Sequence, residues 1–293
     1  MKVFVTGATG FIGVPVVQEL IHAGHEVVGL ARSEQAAKSL TDAGAIALPG
    51  DLEDLDSLRR GAALSDGVIH AGFVHDFSRF EEVCEIDRCA IMAIGDALAG
   101  SNRPFIVTSG TGVAITPGRP TTEEDDPNSP MPRVKSEYAA SEVAGRGVSV
   151  SVVRLPQVHD RDKQGLISYL IAIAREKGVS AYVGEGLNCW PAVARQDAAN
   201  LYKLAFDKAA PWARYNAVAE QGVSSRQIAE TIGKVLKLPV VSKSPEEAAE
   251  HFGWMGAFMS FDMTASSALT QKWLDWHPTG LGLIHDLEQL NIA

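Results

Sequence analysis

The chain has 293 residues, enough for one large domain or two unequal ones, and its 46% hydrophobic and 21% charged residues give a globular balance. A net charge of −10 argues against a nucleic-acid partner, which needs a basic surface to neutralise phosphates. No run of about 18 apolar residues is present, so no segment is expected to span a membrane, and the apolar start, broken by Thr6, Gly7, Thr9 and Gly10, lacks a secretory pattern.

The first strand is predicted at Val3–Val5. Gly7, Gly10 and Gly13 follow it, and Val14, Val16, Val17, Leu20 and Ile21 then recur at helical spacing. A strand, a glycine turn and a helix start in this order suit a dinucleotide. Gly7 permits the tight turn, Gly10 lets the backbone approach a pyrophosphate, and Gly13 lets helix and strand pack closely. The helix N-terminus adds unpaired N–H groups and a positive dipole end.

Strands are predicted at His25–Ala31, Ala45–Leu48, Gly67–Ala71, Pro104–Thr108 and Ser149–Arg154, with helices between them, the clearest from Phe80 to Ala99. This alternation predicts an α/β fold, a doubly wound parallel (Rossmann) sheet whose ligands lie at the carboxyl ends of its strands. Past Leu155 the rhythm changes. Leu166–Ala174 reads as a buried helix, Asp197 as the cap of a helix running to about Lys208, and Tyr215–Val218 as a last strand of the main sheet. From Gln221 the segments are short and helix-biased. The expected division is a dinucleotide-binding domain over 1–155 with about 193–218, and a smaller substrate lobe over 156–192 and 219–293.

Cys84, Cys89 and Cys189 have no metal-ligand spacing and fit a reduced, cytoplasmic interior as small apolar residues; no metal is expected.

The run Thr6-Gly-Ala-Thr-Gly-Phe-Ile-Gly13 resembles the TGxxGxxG fingerprint of the extended short-chain dehydrogenases/reductases, the group of nucleotide-sugar epimerases and related reductases. Further landmarks fall in matching order over almost the whole chain. Asp51-Leu52 is similar to that family's adenine contact, and His70-Ala-Gly72 to its motif beside the cofactor ribose. Arg154-Leu-Pro-Gln-Val-His159 resembles the segment along the nicotinamide, and Leu274-Asp-Trp-His-Pro278 the LGWxP near the C-terminus. The resemblance implies cofactor binding by Gly7, Thr9, Gly10, Phe11, Ile12, Gly13, Asp51, Leu52, Ala71, Gly72, Thr108, Pro156, Gln157 and Val158.

One departure carries weight. The family's catalysis rests on a Tyr-x-x-x-Lys pair and a Ser or Thr after strand five, the lysine lowering the tyrosine pKa. None of the five tyrosines here is followed four residues on by lysine. With Tyr138 on the tyrosine place, Glu142 takes the lysine place; with Glu142 on the family's helical glutamate, Tyr138 falls on the lysine and Val134 on the tyrosine. The second register fits the spacing to strand six better. Either way the chain resembles the superfamily's atypical members.

Strand two ends in Ala31-Arg32-Ser33, where an NAD-specific site carries an acidic residue. Arg32 can bind a 2′-phosphate through a charged fork and Ser33 can add a bond, which favours NADP(H) over NAD(H). Thr111, Tyr138 and His159 are the catalytic candidates, and Ser109 shares the hydroxyl role with Thr111. His75 and Trp190 are the candidates for substrate contact. The expected function is an NADP(H)-dependent reductase of a small carbonyl or imine. A non-catalytic NADP-binding sensor is the alternative, and a nucleotide-sugar epimerase or dehydratase is less favoured. A small-molecule substrate is expected; oligomeric state stays open, with the Phe80–Ala99 helix as a face for a homodimer.

Overall fold

The computed structural model describes residues 1–290, so the predicted lobe is described to residue 290 and its last three residues lie outside. The first half alternates strictly: β1 (Lys2–Thr6), α1 (Gly13–His22), β2 (Glu26–Ala31), α2 (Glu34–Asp42), β3 (Ile46–Pro49), α3 (Leu55–Ala63), β4 (Gly67–His70), α4 (Phe80–Leu98), β5 (Pro104–Gly110), α5 (Lys135–Gly145) and β6 (Ser149–Leu155). Then come β7 (Gln157–His159), α6 (Ile167–Lys177), β8 (Ser180–Val183), β9 (Cys189–Ala194), α7 (Arg195–Lys208), β10 (Arg214–Asn216), β11 (Glu220–Ser224), α8 (Ser225–Leu236) and β12 (Val240–Lys243). Four short helices close the chain: α9 (Pro245–Phe252), α10 (Gly256–Met259), α11 (Ala268–Leu274) and α12 (Leu283–Glu288).

Seven parallel strands form the central sheet in the order β10-β6-β5-β4-β1-β2-β3. The strand order reverses between β1 and β4, where a crevice opens at the strand ends of a doubly wound sheet. Alternation along β1 divides the core into two layers. Val3 and Val5 pack with Leu20 of α1 and Tyr202 and Phe206 of α7, whereas Phe4 packs with Leu58, Ile91 and Ile94 of α3 and α4. A third cluster gathers Ile167, Leu170, Ile171, Trp190, Phe252 and Leu283 away from the main sheet. No described helix is long and apolar enough to cross a membrane.

Three expectations change. Asp197 does not cap α7, which starts at Arg195; its carboxylate sits in the first turn and accepts the N–H groups of Thr279 (3.2 Å) and Gly280 (2.7 Å). The helix-biased C-terminal third contains β11 and β12, which pair with β9 and β8. And α6, apolar in composition, buries one face (Ile167, Leu170, Ile171, Ala174) and turns Tyr169 to the open space at the strand ends.

Candidate functional site

The strand ends open into a cleft of about 650 Å³. The register sets Thr6 beside His70, and the two side chains meet at 2.7 Å (Oγ1 to Nδ1). Gly72 N–H donates to the same Thr6 oxygen at 3.1 Å, tying the loop after β4 to the end of β1. Gly7 follows with φ +66°, and a Cβ there would lie 2.7 Å from Gly72 Cα. Gly10 N–H returns to Gly7 O at 2.8 Å, and Val14 N–H to Gly10 O at 3.1 Å begins the helix. The amides of residues 11–13 therefore precede the first intrahelical bond, at the positive end of the α1 dipole. A turn held open by missing Cβ atoms beside such amides fits a nicotinamide dinucleotide.

Gly7, Thr9, Gly10, Phe11, Ile12, Gly13, Arg32, Asp51, Leu52, Ala71, Gly72, Thr108, Pro156, Gln157 and Val158 line this one cleft, with Thr111 and His75. Ser33 stands beside them on the surface, where its Oγ caps α2 by accepting Ala36 N–H at 3.2 Å. Its hydroxyl proton is left to donate elsewhere.

Three candidates lie elsewhere, each for a physical reason. Tyr138 is 54% exposed on the outer face of α5, and its hydroxyl donates to Pro127 O at 3.3 Å. His159 is buried, because α12 packs over it and Asp286 holds its Nδ1 at 2.6 Å. Trp190 points into the third core cluster; strand alternation turns its neighbour Pro191 to the cleft instead. Tyr138→Phe is accordingly expected to change the stability of the protein by less than about 0.5 kcal/mol, as exposed substitutions do; urea unfolding of the variant beside the parent protein checks it.

The two glutamates on α5 face opposite ways. Glu142 is solvent-facing and pairs with Arg146. The glutamate that turns toward the sheet is Glu137, which receives Arg154 of β6 through Nε (2.7 Å) and Nη2 (2.8 Å) with both side chains buried.

Arg133, which sequence reasoning missed, lines the cleft. Its guanidinium donates to Asp87 Oδ2 (2.5 Å), Thr108 O (2.9 Å) and Ser136 Oγ, and lies 4.3 Å from the Phe73 ring centroid. Burial alone would raise the Asp87 carboxyl, but Arg133, His70 and Ser136 outweigh it and hold it at about 2. An ionised Asp87 fixes the His70 tautomer. A carboxylate can only accept, so His70 Nε2–H donates to Asp87 Oδ1 (3.2 Å), while Nδ1 lies 2.7 Å from the Thr6 hydroxyl. A hydrogen-bonded chain thus runs from the cleft cation to the glycine turn.

Ser109 and Thr111 bring hydroxyls to the cleft, and Ser109 Oγ is buried without a hydrogen-bond partner among the described residues. His75 stands at the cleft surface. Crowding of its ring and the Lys163 and Arg133 cations push its pKa below the usual histidine value, so it is neutral at pH 7. Lys163 is a second missed lining residue, 5.5 Å from the Phe11 ring centroid. The arrangement offers hydroxyl donors, a neutral imidazole and fixed positive charge to a reacting oxygen.

The NAD dependent epimerase/dehydratase family matches residues 3–217. The chain belongs to this family. Members of the NAD dependent epimerase/dehydratase family use nicotinamide cofactors, and their fold is the doubly wound sheet described above. The chain is similar to the Schizosaccharomyces pombe protein C2A9.02, with 50% identity over 98% of both chains. It is also similar to the Saccharomyces cerevisiae protein YLL056C, with 46% identity over 98% of both. Among solved structures, the Thermus thermophilus UDP-glucose 4-epimerase complex with NAD matches 99% of this chain and 97% of its own, at a TM-score of 0.75 and 17% identity.

Proposed function

We propose that this chain is an NADP(H)-dependent oxidoreductase that reduces a small carbonyl or imine. Arg32 carries the reading: it directly follows β2 and opens, exposed, onto the same cleft as the glycine turn. A carboxylate at that place would repel a 2′-phosphate, whereas a guanidinium takes it through a fork. When bound, the nicotinamide would supply the hydride. The glycine turn and the α1 amides would hold the pyrophosphate, Asp51 and Leu52 the adenine, and Pro156, Gln157 and Val158 the nicotinamide side. Ser109 and Thr111 would donate to a carbonyl oxygen on which negative charge develops, with Arg133 behind them. A substrate arriving as an iminium needs no such proton, which suits a cleft without the tyrosine–lysine pair.

The test is a titration of the protein with NADPH and NADH. NADPH is expected to bind roughly ten- to a hundredfold more tightly, the worth of one to two charge-assisted hydrogen bonds. Arg32→Asp is expected to reverse the order. Equal affinities, or an Arg32→Asp protein with its preference intact, would remove the NADP(H) assignment. NADPH consumption with carbonyl and imine panels then separates the reductase from a cofactor-binding sensor.

A further inference from the structure

We propose that the substrate end of the cleft takes a planar aromatic carbonyl compound, an aldehyde or ketone conjugated to its ring, rather than a sugar nucleotide. This rests on the oxidoreductase reading and names its substrate class. Phe73, His75 and Phe77 reach the cleft from the loop after β4, Phe80 from the start of α4, Tyr169 from α6 and Phe258 from α10. Their rings touch in series. Phe73 and His75 lie 5.6 Å apart at 86°, His75 and Phe77 6.1 Å at 71°, and Phe77 and Tyr169 5.8 Å at 85°. Trp254 backs the row, stacked on Phe77 at 4.6 Å and 6° and edge-on to Tyr169 at 5.1 Å. Met131 and Met263 complete the wall with polarizable sulfur. Offset-stacked and edge-to-face geometry is what another flat ring seeks, and thioethers favour ring edges.

The polar groups point the same way. Each hydroxyl of a sugar needs a partner, and carboxylates and amides are the usual ones. The carboxylates lining the cleft, Asp51 and Glu53, follow β3, across β1 and β2 from the aromatic end. The amide that lines it, Gln157, turns its Oε1 to Leu166 N–H at 3.2 Å. The aromatic end instead offers the Ser109 and Thr111 hydroxyls and the cations Arg133 and Lys163, a set matched to one electron-rich oxygen on a flat apolar body.

Acetophenone and cyclohexyl methyl ketone carry the same carbonyl on six-membered rings of equal carbon number, one flat and one puckered. Ligand-observed NMR titration of the full chain is expected to show acetophenone binding about tenfold more tightly, the worth of one to two aromatic contacts. Phe77→Leu and Tyr169→Leu should each bring the ratio toward one while NADPH affinity holds. Equal binding of the two ketones, no binding of acetophenone, or its displacement by UDP-glucose would overturn the proposal. Failure of NADPH to bind, with the acetophenone preference intact, would instead sink the oxidoreductase reading and leave the aromatic site standing.

Discussion

Gly13→Ala is expected to abolish dinucleotide binding and to destabilise the protein by about 1–3 kcal/mol, the usual cost of forcing a methyl group into packed backbone. The added Cβ would lie 1.9 Å from Gly7 O, 2.7 Å from Gly7 C and 2.9 Å from Ala8 Cα. All three are backbone atoms, so no side chain can swing aside, and the turn that presents the amides must move. Gly10→Ala is the control. Its Cβ meets Gly7 O at 3.0 Å and no other atom within 4 Å, so stability should hold while the methyl group occupies the space a phosphate needs. NADPH titration and denaturant unfolding of both variants check the pair. A Gly13→Ala protein that binds NADPH like its parent would refute the assignment of this turn as the phosphate site.

Arg154→Met should cost about 3–5 kcal/mol of stability, because it leaves the buried Glu137 carboxylate with only the longer contact to Arg214 Nε at 3.4 Å. Arg154 is fully buried and Glu137 1% exposed, and the fork between them is bidentate. The arginine also donates to Asp125 O at 2.9 Å, so the pair joins β6, α5 and the loop between β5 and α5. Replacing both partners, as in Arg154→Met with Glu137→Leu, should recover much of the loss, since the buried carboxylate goes with its partner and Arg214 keeps Asp126 at 2.7 Å. Urea unfolding of the single and double variants measures it; a single variant within about 1 kcal/mol of the parent would show that the pair is not desolvated.

The main sheet was legible because its first six strands are short, mostly apolar runs between punctuated helices, a pattern that buried parallel strands share. The glycine turn was legible for the same local reason. The α5 register was not, although a signal was present. Ser136, Ala139, Ala140 and Val143 recur at helical spacing as the buried stripe, which leaves Glu142 facing solvent. His159 misled because its burial depends on Asp286, a residue far along the chain and invisible to any local pattern. The strands β7, β8 and β9 are three to six residues long and pair with segments distant in sequence, so no periodicity could develop. The aromatic row is likewise assembled from loops and helices that only the tertiary fold brings together.

The guanidinium that grips Thr108 O, Asp87 and Ser136 is held on several sides at once, so its charge stays in one place. Reactions at this wall therefore proceed against a constant electrical background. His75 faces the same cleft with its pKa pushed down, so a guest there meets a fixed cation on one side and an imidazole on the other.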